Sequence, residues 1–318
     1  MVSGSAPTPL HLAIVGQDTY FKSTDPESND ETFRTTFVPF SEGEDERALR
    51  LSLENLRPDA VVVFKPESLV TDCLKGLPTT TFGWFTEPVP RVDHSNNDPQ
   101  TERWGASTKV GNAADLRRRL EKAKSVRTSN FDHFLSYDPL IVPTLSHFVD
   151  ITASYPLPIS DKYFSESAET FTENAGRITF IGRLTSHREK FLDRIAHRFN
   201  PLIVSHGLHG NLLDVVLRQT GTAINLHNLP YPNFENRAAM HLAAGHLLLS
   251  EALSPSHGLE AGMDFIEISG PSDLEERLLE IEINPDQFSI LAIRGRQKAE
   301  YFRATRLYER IVQEFVKS

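Results

Sequence analysis

Residues 222–250 read TAINLHNLPYPNFENRAAMHLAAGHLLLS, and their pattern indicates an α/β fold. Thr222–Leu226 is a short apolar run typical of a buried strand, and residues 234–244 have the periodicity of a helix that Gly245 closes. His246–Ser250 is a second run of strand length. A strand, a helix and a strand in this order predict two parallel strands with the helix on one face of the sheet.

The same alternation extends through the chain. The second half adds strands Arg177–Ile181, Leu202–Ser205 and Phe265–Ile268, and helices 187–199, 211–219 and 273–281, the last opened by a capping box of Ser272 and Glu275. The first half adds strands 11–16, 36–40, 61–64, 79–85, 132–137 and 149–154, with helices 44–57 and 113–125. This order predicts an α/β fold of two Rossmann-like domains, which we expect to face each other across a cleft.

The domain boundary is predicted from composition. Residues 155–174 are rich in Pro, Ser and Glu, as in a linker, so we place the boundary near residue 175. The predicted domains are 1–175 and 176–295, and a C-terminal helix, 296–318, is expected to return to the first domain. A length of 318 residues suits two domains of about 150 residues each.

Composition limits the partners and the compartment. The net charge of -10 disfavours binding to nucleic acid, whose phosphates repel an acidic surface. Cys73 is the only cysteine, so no intrachain disulfide forms, which suits a reducing compartment. No signal peptide and no membrane span are predicted, and we therefore expect a cytoplasmic protein.

Ligands of such sheets bind beyond the carboxyl ends of the strands, so the loops there are the first places to search. After strand 177–181, Gly182 allows close approach of a ligand. Arg183, Arg188 and Lys190 could neutralise a diphosphate, although the last two could also simply cover the surface of a helix. His206 and Gly207 follow the next strand and suit the edge of a nucleobase, or a plain tight loop.

The loop within the opening stretch is the most informative. His227 ends its strand, and Asn233, Phe234 and Glu235 lead into the helix, with Asn233 predicted as the N-cap. Arg237 lies in the first turn, and a helix N-terminus beside a guanidinium is a typical phosphate site.

Two carboxylates are further candidates. Glu251 follows strand 246–250 and could accept hydrogen bonds from ribose hydroxyls, or be solvated. Glu87 follows strand 79–85 and is a candidate general base, although carboxylates are common at such edges. Glu87, Arg188 and Arg237 are therefore the candidate catalytic residues.

Several motifs are absent. Gly16 is not part of a G-x-G-x-x-G sequence, which disfavours a dinucleotide oxidoreductase, and no P-loop occurs. No Asp-x-Asp pair is present to hold a nucleotide sugar through a metal ion. H-E-x-x-H and G-x-S-x-G are missing as well, against a zinc peptidase and a serine hydrolase. No bound metal and no cofactor are predicted.

The opening stretch also resembles a known family. Asn225-Leu226-His227, Arg237, Ala243-Ala244-Gly245 and Ser250-Glu251 resemble the donor site of GT-B glycosyltransferases, with most similarity to the spore-maturation-protein-B-like group related to family 4. Phe180-Ile181-Gly182 with Arg188, and His206-Gly207, match in order and spacing. The resemblance implies a nucleotide sugar as co-substrate, with Gly182, Arg188 and Arg237 near its diphosphate and His206-Gly207 near its base. It also implies retention of anomeric configuration.

One position departs from that family. Where it commonly has a ribose-binding glutamate, this chain has Met240; Glu235 or Glu251 could substitute from another register. The leading hypothesis is a metal-independent, hexosyltransferase-like enzyme whose acceptor is a glycan, a small molecule or a protein. The alternatives are a non-catalytic nucleotide-sugar-binding protein on the same scaffold and a GT-B sugar-nucleotide epimerase.

Overall fold

The computed structural model describes residues 9–28, 33–91, 106–164, 170–205, 211–228 and 233–316. The chain divides into two compact units. Unit 1 comprises Met1–Asp161 with Ala304–Ser318, and unit 2 comprises Lys162–Arg303. The corresponding boundaries predicted from the sequence lie near residues 175 and 295.

Both units contain a parallel sheet, which confirms the predicted α/β class. The strands of unit 1 are β1 Leu10–Gly16, β2 Phe33–Pro39, β3 Ala60–Phe64, β4 Thr80–Phe85, β5 His133–Ser136 and β6 Ile151–Ser154, in the order β2-β1-β3-β4-β5-β6. Those of unit 2 are β7 Ile178–Ile181, β8 Leu202–Val204, β9 Thr222–Asn225, β10 Leu247–Ser250 and β11 Ile266–Glu267, in the order β11-β10-β9-β7-β8.

The helices alternate with these strands. They are α1 Asp18–Phe21, α2 Glu46–Leu56, α3 Ala106–Lys124, α4 Val142–Leu145, α5 Thr170–Asn174, α6 Ser186–Phe199, α7 Asn211–Gln219, α8 Asn236–Ala243, α9 Pro271–Ile283, α10 Ser289–Lys298 and α11 Ala304–Phe315. Short 3₁₀ turns cover Lys22–Thr24, Pro66–Ser68, Thr128–Asn130, Pro139–Ile141, Asp161–Tyr163, Pro285–Phe288 and Ala299–Phe302. No helix of the described residues is long and apolar enough to cross a membrane.

The sheet of unit 1 is covered on both faces, because its buried strands alternate between two cores. Leu12 and Ile14 of β1 point to the core that α11 covers, whereas Ala13 and Val15 point to the core that α2 covers. The side of α11 that faces this core is apolar and consists of the buried residues Leu307, Tyr308, Ile311 and Val312. The last helix therefore packs on the first sheet, as predicted.

Three predicted helix starts were wrong for local reasons. α9 begins at Pro271 directly after Gly270, so Ser272 lies inside the helix and makes no capping box. α3 begins at Ala106, earlier than predicted. The last helix begins at Ala304 rather than residue 296, because Arg303 leaves helical geometry with a ψ of 123°.

Helix α5, which precedes β7, is part of unit 2 because it packs against the core of that unit. Phe171 of α5 is fully buried in the core that Phe180, Leu192 and Ile224 also form. A Cβ atom on Gly221 would lie only 2.1 Å from the carbonyl oxygen of Asn174, so α5 contacts the start of β9 at backbone distance. The weak periodicity of residues 155–174 hid this short helix.

Candidate functional site

The candidate site lies where the strand order of unit 2 reverses. From β7 the chain moves to β8 on one side and then to β9 on the other, so the carboxyl ends of β7 and β9 flank a topological switch point. Ligands of doubly wound sheets bind at such a point. Gly182 follows β7, and Leu226 and His227 follow β9.

Gly182 allows the guanidinium groups of Arg188 and Arg237 to lie close to the backbone. Its φ of 152° is one that side-chain-bearing residues rarely adopt. A Cβ atom here would lie 2.8 Å from Nη1 of Arg237 and 3.2 Å from Nη1 of Arg188. Only glycine leaves the two guanidinium groups in their observed places.

Arg188 holds the two loops together. It is 2% exposed, and its Nε donates to the carbonyl oxygens of Leu226 at 3.0 Å and His227 at 3.1 Å. Its Nη1 donates to the carbonyl oxygen of Arg183 at 2.8 Å, and its Nη2 to Glu235 at 2.9 Å. Most of its donors are thus used by the protein, and the side chain positions the loops around β7 and β9.

Arg237 has a donor to spare. Its Nε donates to Oδ1 of Asn225 at 2.9 Å, and its Nη2 contacts the carbonyl oxygen of Leu226 and Glu235, each at 2.5 Å. Among the described residues, its Nη1 makes no hydrogen bond. Burial lowers the pKa of Arg237 to about 10, which leaves the guanidinium charged at neutral pH. Both guanidinium groups also lie over the ring of Phe180.

Glu235 connects the two arginines. It is the N-cap of α8, with extended backbone, so the predicted N-cap Asn233 was wrong. Its carboxylate pairs with Arg188 and Arg237 and accepts a hydrogen bond from the backbone N–H of Asn228 at 3.1 Å. The single carboxylate offsets the repulsion between two buried cations.

Glu251 forms a second cluster at the end of β10. It accepts hydrogen bonds from the backbone N–H of His227 at 2.7 Å and from Nε2 of His187 at 2.9 Å. Burial opposes its ionisation, but the hydrogen bond from His187 and the positive surroundings outweigh it, so the pKa of Glu251 is lowered. The carboxylate is thus neither solvated nor without partners.

Buried polar atoms near the start of α8 lack partners in the described part of the chain. His227 donates from Nε2 to the carbonyl oxygen of Ala252 at 2.8 Å, which leaves Nδ1 as an acceptor. That Nδ1 and the Oδ1 atoms of Asn228, Asn233 and Asn236 are buried without a hydrogen bond. Such atoms usually have a partner, so this loop offers hydrogen-bonding capacity to a ligand.

The remaining predicted residues are placed differently. The side chains of Arg183 and Lys190 are exposed. Phe234 is 5% exposed and stacks on Phe302 with 5.5 Å between the ring centroids, so it is part of the core of unit 2. His206 and Gly207 lie outside the described residues.

Glu87 lies in unit 1, after β4. Its Oε1 pairs with Lys65 and its Oε2 with Nη1 of Arg119, so cations occupy both oxygens. Nearby Glu67 was not predicted; it is 5% exposed, and burial raises its pKa to about 7. The sequence signal that could have identified Glu67 is its position shortly after the end of a strand, directly after Lys65-Pro66.

Two further contacts were missed in unit 2. No role was predicted for His187, and Asn225 was named only as part of a motif. Both hold charged groups of the site, Glu251 and Arg237 respectively. In the described residues, no three His, Cys, Asp or Glu side chains are placed to share a metal ion, and metal independence stays a prediction.

Comparison with solved structures identifies the fold of the chain. No protein-family model matches the chain. No curated protein matches it by sequence. Among solved structures it is similar to HepE of Anabaena in complex with UDP-glucose, with a TM-score of 0.60 and 7% identity over 97% of this chain and 100% of that one.

Two further structures are similar over the same length. Sucrose-phosphate synthase of Thermosynechococcus elongatus has a TM-score of 0.57 and 12% identity over 97% of this chain and 100% of that one. A glycosyltransferase of Rickettsia africae has a TM-score of 0.53 and 10% identity over 98% of this chain and 100% of that one. The chain has the GT-B fold. At these identities the similarity extends to the fold alone, and GT-B architecture accounts for both parallel sheets and for the return of α11 to the first of them.

Proposed function

We propose that the chain is a glycosyltransferase that moves a sugar from a nucleotide-sugar donor to an acceptor. The observation that carries this proposal is the arrangement of Gly182, Arg188, Glu235 and Arg237 at the switch point of a GT-B unit. The similar structure from Rickettsia africae is a glycosyltransferase, and HepE is complexed with UDP-glucose, which supports a nucleotide-sugar donor.

In this proposal Arg237 is the group that contacts the donor diphosphate. Its Nη1 is the donor left over after Asn225, Leu226 and Glu235 are satisfied. Negative charge develops on the departing nucleoside diphosphate, and a fixed guanidinium stabilises it without reorganisation. The exposed side chains of Arg183, in the loop after β7, and Lys190, in α6, can add positive charge.

Arg188 has a positioning role in the proposed reaction. Its hydrogen bonds to the carbonyl oxygens of Arg183, Leu226 and His227 fix the loops that carry the donor site. The unpartnered acceptors around His227 and Asn236 suit hydroxyl groups of the donor. Retention of configuration and hexosyl transfer are part of the proposal and rest on the family resemblance. Independence from metal is also part of it and rests on the absence of an Asp-x-Asp pair from the sequence.

The test is to incubate the protein with UDP-, GDP-, ADP-, CDP- and TDP-sugars, without added metal, and to quantify products. Release of nucleoside diphosphate, increased by an acceptor mixture, supports transfer. Isomerised nucleotide sugar without release identifies an epimerase instead. Binding of a donor with neither product identifies a non-catalytic binding protein, the outcome that Met240 in place of the family glutamate would explain.

A further inference from the structure

Unit 1 contains a cavity of about 350 Å³ at the carboxyl ends of its central strands, lined by Lys65, Glu67, Glu87, Arg118, Arg119 and Lys122. Lys65 follows β3 and Glu87 follows β4. In this sheet the strand order reverses between β1 and β3, so the cavity lies next to the switch point where a ligand is expected.

Glu67 is the unusual member of the lining. It is 5% exposed, and its Oε2 is buried without a hydrogen bond among the described residues. The turn that carries it packs directly on β4, because a Cβ atom on Gly83 would lie 2.9 Å from Cβ of Pro66. Burial is the main cause that raises the pKa of Glu67 to about 7, with a smaller contribution from the neighbouring Glu87. A hydrogen bond from its own backbone N–H and the charges of Lys65 and Lys122 oppose this rise.

The other carboxylates around the cavity are already used. Glu87 pairs with Lys65 and with Arg119. Arg118 and Arg119 pair with Asp115 at 2.5 and 2.9 Å. Lys122 pairs with Glu42.

The charge of the lining therefore depends on Glu67. The cations are Lys65, Arg118, Arg119 and Lys122, and their ionised partners are Glu42, Glu87 and Asp115. A neutral Glu67 leaves an excess of positive charge on these side chains and a carboxyl O–H that has no acceptor among the described residues. An ionised Glu67 removes both.

We propose that this cavity binds a negatively charged group of the acceptor, a phosphate or a carboxylate, and that the neutral carboxyl of Glu67 donates a hydrogen bond to it. That the anion belongs to a glycosyl acceptor rests on the proposed function, whereas anion binding at the cavity does not. Glu87, with both oxygens in ion pairs, is then a positioning residue for Lys65 and Arg119 rather than a free general base.

Binding and protonation are coupled in this arrangement. An anion that prefers neutral Glu67 must raise the pKa of Glu67 when it binds, by reciprocity. A tenfold preference corresponds to a shift of about one pH unit. Sulfate is a suitable probe because, unlike phosphate, its charge does not change near neutral pH.

The experiment follows the side-chain carboxyl carbon of Glu67 by NMR in protein labelled with ¹³C-glutamate, with the resonance assigned by its loss in Glu67→Gln. Titrations are run in sulfate and in chloride at equal ionic strength. We expect sulfate to raise the titration midpoint of Glu67. Lys122→Ala should reduce that shift, and Lys124→Ala, on the same helix but outside the lining, should leave it intact.

A midpoint that sulfate does not raise relative to chloride would overturn the proposal. A shift that survives Lys122→Ala but not Lys124→Ala would do the same. In Glu67→Gln, the Glu87 resonance should report equal sulfate affinity at about pH 6 and about pH 8. Failure of the transfer assay together with a positive sulfate result rejects the glycosyltransferase proposal alone, and the reverse result rejects the anion site alone.

Discussion

Nη1 of Arg237 lies so close to Gly182 that a Cβ atom at residue 182 would stand 2.8 Å from it. The contact joins the loop after β7 to the first turn of α8 across the switch point of the sheet. Asn225, Leu226 and Glu235 hold the guanidinium in place, so it cannot withdraw without losing hydrogen bonds.

Gly182→Ala should therefore damage both stability and the site. We expect a loss of about 1–3 kcal/mol in the free energy of unfolding, from the unfavourable φ and from displacement of Arg237. Urea denaturation measures it. Gly176→Ala is the matched control, because among the described residues no heavy atom beyond its two chain neighbours lies within 4 Å of its Cβ position. Its effect should stay within about 0.5 kcal/mol. Equal effects of the two variants would show that residue 182 is not constrained.

Glu235→Gln should remove the carboxylate that pairs directly with the two buried cations Arg188 and Arg237. Removal of one partner from a buried ion pair costs roughly 3 kcal/mol. Thermal or urea unfolding should show a loss of this order, and added sulfate should recover part of it by supplying an anion.

The control is Glu282→Gln, whose carboxylate pairs with Arg198 where both side chains are 55% exposed. Such a pair contributes less than about 1 kcal/mol. If Glu235→Gln were as mild as this control, the carboxylate would not be the element that stabilises the arginine pair.

Two buried histidines and the half-buried His257 of unit 2 predict loss of stability in acid. Burial lowers the pKa of His246 and of His257 to about 4, and that of His241 lies well below its ordinary value. Between pH 6.5 and 4 the unfolded chain therefore binds protons that the folded chain does not. Stability is complete above this window and falls as the pH decreases through it.

Each such group contributes a slope of about 1.4 kcal/mol per pH unit within the window. His257→Gln should remove one contribution, and unfolding free energies measured across the window should show the shallower slope. His197→Gln changes an exposed histidine and should leave the slope as in the wild type. An unchanged slope in His257→Gln would contradict neutral burial of His257.

The sequence predicted the fold better than the site. The strands of both sheets were predicted correctly from short apolar runs, and Gly182, Arg188 and Arg237 were chosen as candidates because they follow such runs. The sequence pattern cannot show which N–H groups of an arginine already donate to other parts of the protein. Arg188 was therefore predicted to contact the ligand, although backbone carbonyl oxygens accept most of its hydrogen bonds. Glu67 was missed because its unusual protonation arises from burial against residues distant in sequence. Phe234 was predicted at the site, but its ring is an ordinary core side chain that packs on Phe302.

Equilibrium binding of UDP-, GDP-, ADP-, CDP- and TDP-sugars to the wild type and to Arg237→Ala tests the central claim most directly. We expect one nucleotide to bind the wild type and to bind Arg237→Ala at least about tenfold more weakly, since a charged hydrogen bond contributes about 1.5–3 kcal/mol. Arg198→Ala, which changes an exposed arginine of α6, should bind as the wild type does. Equal affinity of wild type and folded Arg237→Ala, or no binding of any donor by the wild type, would contradict the claim.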